Sequence, residues 1–136
     1  MKINPYILLP ENSEKAMNFY KEVFGGKIVT LQRYRDVPDI PCNEEDRDKL
    51  LHGHLELGDQ DQAIYFSDML QNNAITFGNQ ISLTLMLTSV DMIEKVFHDL
   101  SQDGKVLMPL QDTFWGAKYG KLIDQFGIYW DLNCPL

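Results

Sequence analysis

At 136 residues, 44% of them apolar and 24% charged, the chain falls in the single-domain range and is long enough to bury a core. Its 20 acidic residues outnumber 12 basic ones for a formal charge of -8, which repels phosphate backbones and anionic membrane surfaces and argues against nucleic acid as a partner. No apolar run approaches the roughly 20 residues needed to cross a bilayer, and the opening Met1-Lys2-Ile3-Asn4-Pro5 lacks the apolar stretch of a signal peptide, so a cytoplasmic location is expected.

Ile3 to Leu9 reads as a buried strand, followed by Pro10 and Asn12. Ser13 is placed to cap a helix. From Glu14 to Phe24 the apolar Ala16, Met17, Phe19, Tyr20, Val23 and Phe24 recur at helical spacing until Gly25-Gly26 stops the run. Lys27 to Tyr34 is extended again. Arg35 to Lys49, with two prolines and six acidic residues, is expected as an exposed loop or short helical excursion, long enough for a lid, with the acidic stretch at 44–48 a solvated face. Leu51 to Leu57 alternates, with His52, His54 and Glu56 on one side, and Ala63 to Ser67 follows the turn Gly58-Asp59-Gln60-Asp61 as the second arm of a hairpin. Met69 to Asn79 is polar and turn-rich, a connection.

From Gln80 the order of elements returns. Ile81 to Leu87 is a strand, Val90 to Gln102 carries Val90, Ile93, Val96, Phe97 and Leu100 at helical spacing, Gly104 stops it, and Lys105 to Leu110 is extended. Lys118 to Asp124 and Gly127 to Cys134 are two further strands. Cys42 and Cys134 have no motif spacing and are expected as free thiols.

The recurrence survives residue-by-residue testing. One shift lays Ile3 on Ile81, Tyr6 on Thr84, Phe19 on Phe97 and Gly26-Lys27-Ile28 on Gly104-Lys105-Val106; a shorter one lays His52-Gly53-His54 on Tyr119-Gly120-Lys121. A third lays Ile64-Tyr65-Phe66-Ser67 on Ile128-Tyr129-Trp130-Asp131. The expected fold is α+β: two tandem βαβββ modules forming a curved mixed sheet around a cleft, over about residues 1–70 and 80–136 with a linker over about 71–79. Strand alternation turns Tyr6, Tyr65, Ser67, Thr84, Tyr129 and Asp131 toward that cleft, a setting suited to a small molecule.

Phe19-Tyr20-x-x-x-Phe24-Gly25 and Asp124-Gln125-Phe126-Gly127-Ile128-Tyr129-Trp130-Asp131-Leu132 are similar to signature segments of the vicinal oxygen chelate superfamily, which includes glyoxalase I, extradiol dioxygenases and fosfomycin and bleomycin resistance proteins. Asn4-Pro5-Tyr6, the His54 strand and the run Gln111 to Lys121 resemble its PhnB-like branch, labelled demethylubiquinone methyltransferase-like. The resemblance implies a glyoxalase-like fold, homodimers and, in metal-using members, a divalent cation held by His or Glu from the first and last strand of each module. Those slots fall here on Tyr6 or Pro5, Ser67, Thr84 or Ser82, and Asp131, of which only Asp131 is a strong ligand. The expected metal site is therefore none. No Gly-rich nucleotide loop at a strand-to-helix junction supports the methyltransferase label.

His52, His54 and Glu56 have the most metal-like spacing, yet alternate strand residues stand about 6.6–7 Å apart and do not easily converge on one ion, so His54 is read as a hydrogen-bonded wall or interface residue. Asp131 is the candidate catalytic residue, as general base or single ligand, with a solvated strand-end residue as the alternative. Phe114, Trp115 and Tyr119 flank a Gly-containing turn as a lid, a dimer contact or barrel filling; Tyr6, Tyr65 and Tyr129 would hold a ligand's polar end or simply fill the cavity. With Lys121, these make a cleft of Tyr6, His54, Tyr65, Ser67, Thr84, Trp115, Tyr119, Lys121 and Tyr129. Three readings stay open: a metal-free small-molecule binder, a lyase, isomerase or dioxygenase using a weakly held divalent metal on Asp131, and a dimeric interaction module.

Overall fold

The strand, helix and three further strands read from the sequence recur in each half of the computed structural model, which describes residues 1–58, 61–71 and 73–136. Two units result, Met1–Thr76 and Phe77–Leu136. In the first, β1 (Tyr6–Leu9), α1 (Ser13–Phe24), β2 (Lys27–Arg33), β3 (Leu50–Leu57) and β4 (Gln62–Asp68) give a sheet in the order β1-β4-β3-β2. Only the β1 pairing to β4 is parallel; α1 returns the chain across the sheet to make it so. In the second, β5 (Leu83–Met86), α2 (Val90–Leu100), β6 (Lys105–Asp112), β7 (Ala117–Ile123) and β8 (Tyr129–Pro135) repeat that topology as β5-β8-β7-β6.

Each helix closes one face of its own sheet. Ala16, Met17 and Tyr20 of α1 are buried with Ile7, Leu9, Leu50, Leu55, Ile64 and Phe66, and the Tyr20 and Phe66 rings stack at 5.9 Å. In the second unit Ile93, Val96, Phe97 and Leu100 of α2 are buried with Leu122, Trp130 and Leu132. Each buried Val, Leu, Ile, Phe or Met side chain contributes about 1.5–3 kcal/mol, so the apolar parity of the strands decides which face the helix takes. Gly25, at φ 73°, ends α1 by donating its N–H to the Lys21 carbonyl. Ser89 opens α2, its hydroxyl accepting from the Met92 N–H at 3.1 Å.

The repeat extends to contacts that allow the packing. A Cβ on Gly26 would stand 2.5 Å from the Glu56 carbonyl oxygen, and one on Gly104 would stand well inside 3.0 Å of the Ile123 carbonyl oxygen, the equivalent atom one module later. Gly53 and Gly120 likewise leave room for the helix, the first against Met17 and the second against Phe97. Each unit also has a buried carboxylate that stitches backbone. Asp68 accepts the N–H groups of Ser13 at 3.0 Å and Leu50 at 2.8 Å. Asp124 accepts those of Phe126 and Ile128 with one oxygen and the Trp130 indole N–H at 2.8 Å with the other.

Several expectations are corrected. The first and fifth strands begin at Tyr6 and Leu83, leaving Ile3 and Ile81 exposed, because strand pairing starts only there. Ser13 does not cap α1: it is the helix's first residue, its hydroxyl donates to the Ser67 carbonyl, and Asn12 precedes it in a left-handed conformation. The acidic stretch within 35–49 is not simply solvated. It contains a 3-10 turn over Glu44–Asp46, and Asp46, 1% exposed, accepts the Gln71 N–H and pairs with Lys49 at 3.1 Å, off line for a hydrogen bond. Of the expected turn at 58–61, Asp59 and Gln60 lie outside the described residues, as does Asn72 of the connection.

Candidate functional site

The face of each sheet turned away from its helix carries the polar residues. On the first sheet β1, β4 and β3 place Tyr6 opposite Tyr65 and Tyr65 opposite His54 in register, so their side chains project together. The Tyr6 hydroxyl and His52 Nδ1 are 2.8 Å apart, His52 stacks on Tyr65 with centroids 5.6 Å apart, and His54 meets the edge of Tyr65 at 4.9 Å. Ser67 follows on the same face. The Tyr6 phenol is held above the ordinary tyrosine value, first by loss of water around it and then by Tyr34, with the Ser67 side chain opposing the rise. Burial is also the main cause of the raised value of Tyr34, which does not continue the strand expected over Lys27 to Tyr34 but lies in a 3-10 turn with its hydroxyl donating to the Asp68 carbonyl.

The imidazoles therefore belong to an aromatic cluster, and Glu56, further along β3, is exposed. A recess of about 370 Å³ beside them is bordered by His54, Glu56, Tyr65 and the ion pair of Lys2 with Asp61.

On the second sheet, Lys121 lies opposite Asp131, Tyr119 opposite Asn133 and Thr84 opposite Asp131. The Tyr119 hydroxyl donates to Asp131 Oδ2 at 3.0 Å, while Lys121 Nζ stands 3.8 Å from Oδ1. Burial, and then the hydrogen bond and charge of Asp131, raise Tyr119 above the ordinary tyrosine value, so the phenol stays a donor across neutral pH. Trp115 touches the Tyr119 ring at 5.7 Å and is half exposed, while Phe114 at the tip of the turn is 97% exposed. Tyr129 borders a separate recess with Phe77, Asn79 and Ile123, neighbours that the polar connection gave no signal for.

In the first unit Tyr6 opposes Tyr65, but in the second Thr84 opposes Asp131 rather than Tyr129. The slide is by two residues, which leaves every side chain on the face that alternation gives it.

The model of the glyoxalase/bleomycin resistance protein/dioxygenase superfamily matches residues 2–132. The chain belongs to that superfamily. Among glyoxalase-fold structures, it is similar to the PhnB protein of Bacillus cereus, provisionally described as a 3-demethylubiquinone-9 3-methyltransferase, at 31% identity and a TM-score of 0.82 over 98% of this chain and 99% of that one. It is also similar to PA1353 of Pseudomonas aeruginosa, at 29% identity and a TM-score of 0.86, covering 99% of this chain and 98% of that one. Protein YjdN of Escherichia coli K12 is 24% identical over 98% of this chain and 95% of its own length. The resemblance to the superfamily's PhnB-like branch thus rests on relatives that span the whole fold.

The metal associated with glyoxalase-superfamily enzymes does not fit this donor set. Of the slots carried over from the family, Tyr6, Ser67 and Thr84 offer hydroxyls and only Asp131 a carboxylate, whereas a tightly held transition ion needs three or more nitrogen, carboxylate or thiolate donors. Among the described residues no three His, Cys, Asp or Glu side chains gather as a metal-ligating group.

Proposed function

We propose that this glyoxalase-superfamily domain binds a small organic molecule without a tightly held metal. The ligand-facing residues are Tyr6, His54, Tyr65 and Ser67 in the first unit, and Thr84, Trp115, Tyr119, Lys121 and Tyr129 with Asp131 in the second. One observation carries the reading: both sheets give one face to a helix and keep the other for tyrosines, imidazoles and a lysine–carboxylate pair. Such a surface offers stacking area and hydrogen bonds but not a metal's donors. Native mass spectrometry of untagged protein, with metal analysis of the same sample, tests it. A bound organic molecule and substoichiometric metal are expected; stoichiometric iron, nickel or zinc, or the absence of any copurifying or stabilising molecule across a metabolite panel, overturns it.

A second reading, a lyase, isomerase or dioxygenase using a weakly held divalent ion, is favoured by one feature: the only strong donor among the slots, Asp131, has a carboxylate oxygen free of hydrogen bonds. Metal-dependent turnover that Asp131→Ala abolishes in a folded protein would select it, with Asp131 as the catalytic group. The exposed Phe114 and Trp115 support a homodimer as the assembly. No helix among the described residues is long and apolar enough to cross a membrane. The two free cysteines and the acidic composition support a reducing cytoplasm, with no nucleic acid as partner.

A further inference from the structure

The repeat places a recess at the same end of each sheet, with different linings. Gly26 approaches the Glu56 carbonyl as Gly104 approaches that of Ile123, so Glu56 and Ile123 are equivalent positions. In register, Glu56 faces Ala63 and Ile123 faces Tyr129. The first recess is bordered by Glu56, His54, Tyr65 and the ion pair of Lys2 with Asp61. The second, of about 470 Å³, is bordered by Phe77, Gly78, Asn79, Ile123, Gly127 and Tyr129, none of them charged.

Phe77 is a seated wall of this second recess. Its ring lies so close over Gly127, at φ 85°, that a Cβ there would stand 3.1 Å from both Cδ1 and Cε1, yet Phe77 is 59% exposed. Phe77 and Tyr129 border the same open space and make no ring contact with each other. Neither the Tyr129 hydroxyl nor the Asn79 carboxamide has a hydrogen-bond partner among the described residues. Lys105, opposite Ile123 on β6, is exposed and does not border the recess.

We infer that this recess takes a neutral planar ring of the ligand, aromatic or heteroaromatic, packed on Phe77 and Tyr129 beside Ile123. Asn79 and the Tyr129 hydroxyl receive a polar substituent at the ring's edge. The inference rests on the small-molecule reading above and names the chemistry of one end of that ligand. Two rings that leave space between them and are open to solvent offer stacking area to a third, which an aliphatic body of equal size uses less well because it lacks the ring quadrupole. A charged group entering here loses water and finds no counter-charge on the lining. The first recess, with Glu56 where Ile123 stands, has the carboxylate that would reverse that preference.

The test needs no knowledge of the natural ligand. Protein carrying carbon-13 in its isoleucine methyl groups and nitrogen-15 in its backbone is titrated with benzyl alcohol, cyclohexylmethanol, benzoate and benzylammonium at pH 7 and constant ionic strength. The Ile123 methyl and the Gly127 amide are followed. Benzyl alcohol should reach half-saturation at a concentration about tenfold below that of cyclohexylmethanol and below that of either ion, moving the Ile123 methyl by its ring current. Phe77→Ala, at an exposed position, should raise the half-saturation concentration for benzyl alcohol about tenfold. Ile123→Glu, which introduces the residue of the equivalent first-unit position, should move benzylammonium to first place, read on Gly127. Cyclohexylmethanol or an ion ranking first in the wild type overturns the inference, as does the lack of a saturable response at Ile123, an unchanged affinity in Phe77→Ala, or an unchanged ranking in folded Ile123→Glu. If Ile123→Glu does not fold, the wild-type ranking and Phe77→Ala decide. A copurifying metabolite with no probe response at Ile123 removes this inference and leaves the binding reading intact; a probe response without any copurifying or stabilising metabolite does the reverse.

Discussion

Replacing Gly104 by alanine probes whether the repeated close approach holds the second sheet together. The added methyl would meet the Ile123 carbonyl oxygen well inside 3.0 Å and the Asp124 Cα and C atoms at 3.1 and 3.2 Å. Every one of these atoms is backbone, so no side chain can swing aside. Relief requires the start of β6 to move from the end of β7, where Lys105 pairs with Ile123, and to disturb the Asp124 turn that holds Trp130. Overpacking of this kind costs about 3 kcal/mol, at the upper end of its usual range, out of a total stability of about 5–15 kcal/mol. For a chain of this size that lowers the melting midpoint by about 10 °C. Gly78→Ala is the control: its methyl would enter open space, and the change should stay within about 0.5 kcal/mol of wild type. Urea unfolding followed by circular dichroism measures both. A Gly104→Ala protein within about 0.5 kcal/mol of wild type would refute the close-contact argument, because the methyl would then have been accommodated without strain.

Asp124→Ala removes the acceptor for two backbone N–H groups and the Trp130 indole, and should destabilise by about 3 kcal/mol; in a Trp115→Phe background the Trp130 fluorescence should shift to the red in step with unfolding at lower urea. In a spectrophotometric titration Tyr119 should ionise above the usual tyrosine value of about 10, together with Tyr6 and Tyr34, and Tyr119→Phe should shrink that late component by one phenol. The sign for stability follows from the raised folded value. The unfolded chain ionises first, so the contribution of Tyr119 is complete below about pH 10 and is lost as pH climbs through the folded value; Tyr119→Phe should flatten that alkaline loss.

Periodicity is enough to read the fold because both helices and the inner strands here have one apolar face. Met17 and Tyr20 at helical spacing, or Ile64 and Phe66 at alternate positions, state which side packs and which stays polar. The same rule puts Tyr65 with His54, and Lys121 with Asp131, on the side away from the helix. What alternation does not carry is the identity of partners across the sequence. Asp46, Asp68 and Asp124 look like loop and strand-end acids, yet each is buried: Asp46 and Asp68 take backbone N–H groups distant in sequence, and Asp124 those of its own turn together with the Trp130 indole. Ser13 illustrates the same point at short range: a serine before a helix usually caps it, but a carbonyl brought close by β4 takes its proton instead. Two oxygens of one carboxylate, one satisfied and one not, are likewise invisible until the neighbouring strands are paired.

In both sheets the last strand to be made is an inner one. β4 enters between β1 and β3, and β8 between β5 and β7, so until it arrives the first strand of each sheet has no hydrogen-bonded neighbour at all. During synthesis the N-terminal half can finish its ladder once Asp68 has cleared the ribosome, whereas β5 must wait for the Tyr129–Pro135 segment with its edges open to other chains. Premature termination ahead of β8 would thus release a complete first half tethered to an aggregation-prone second one.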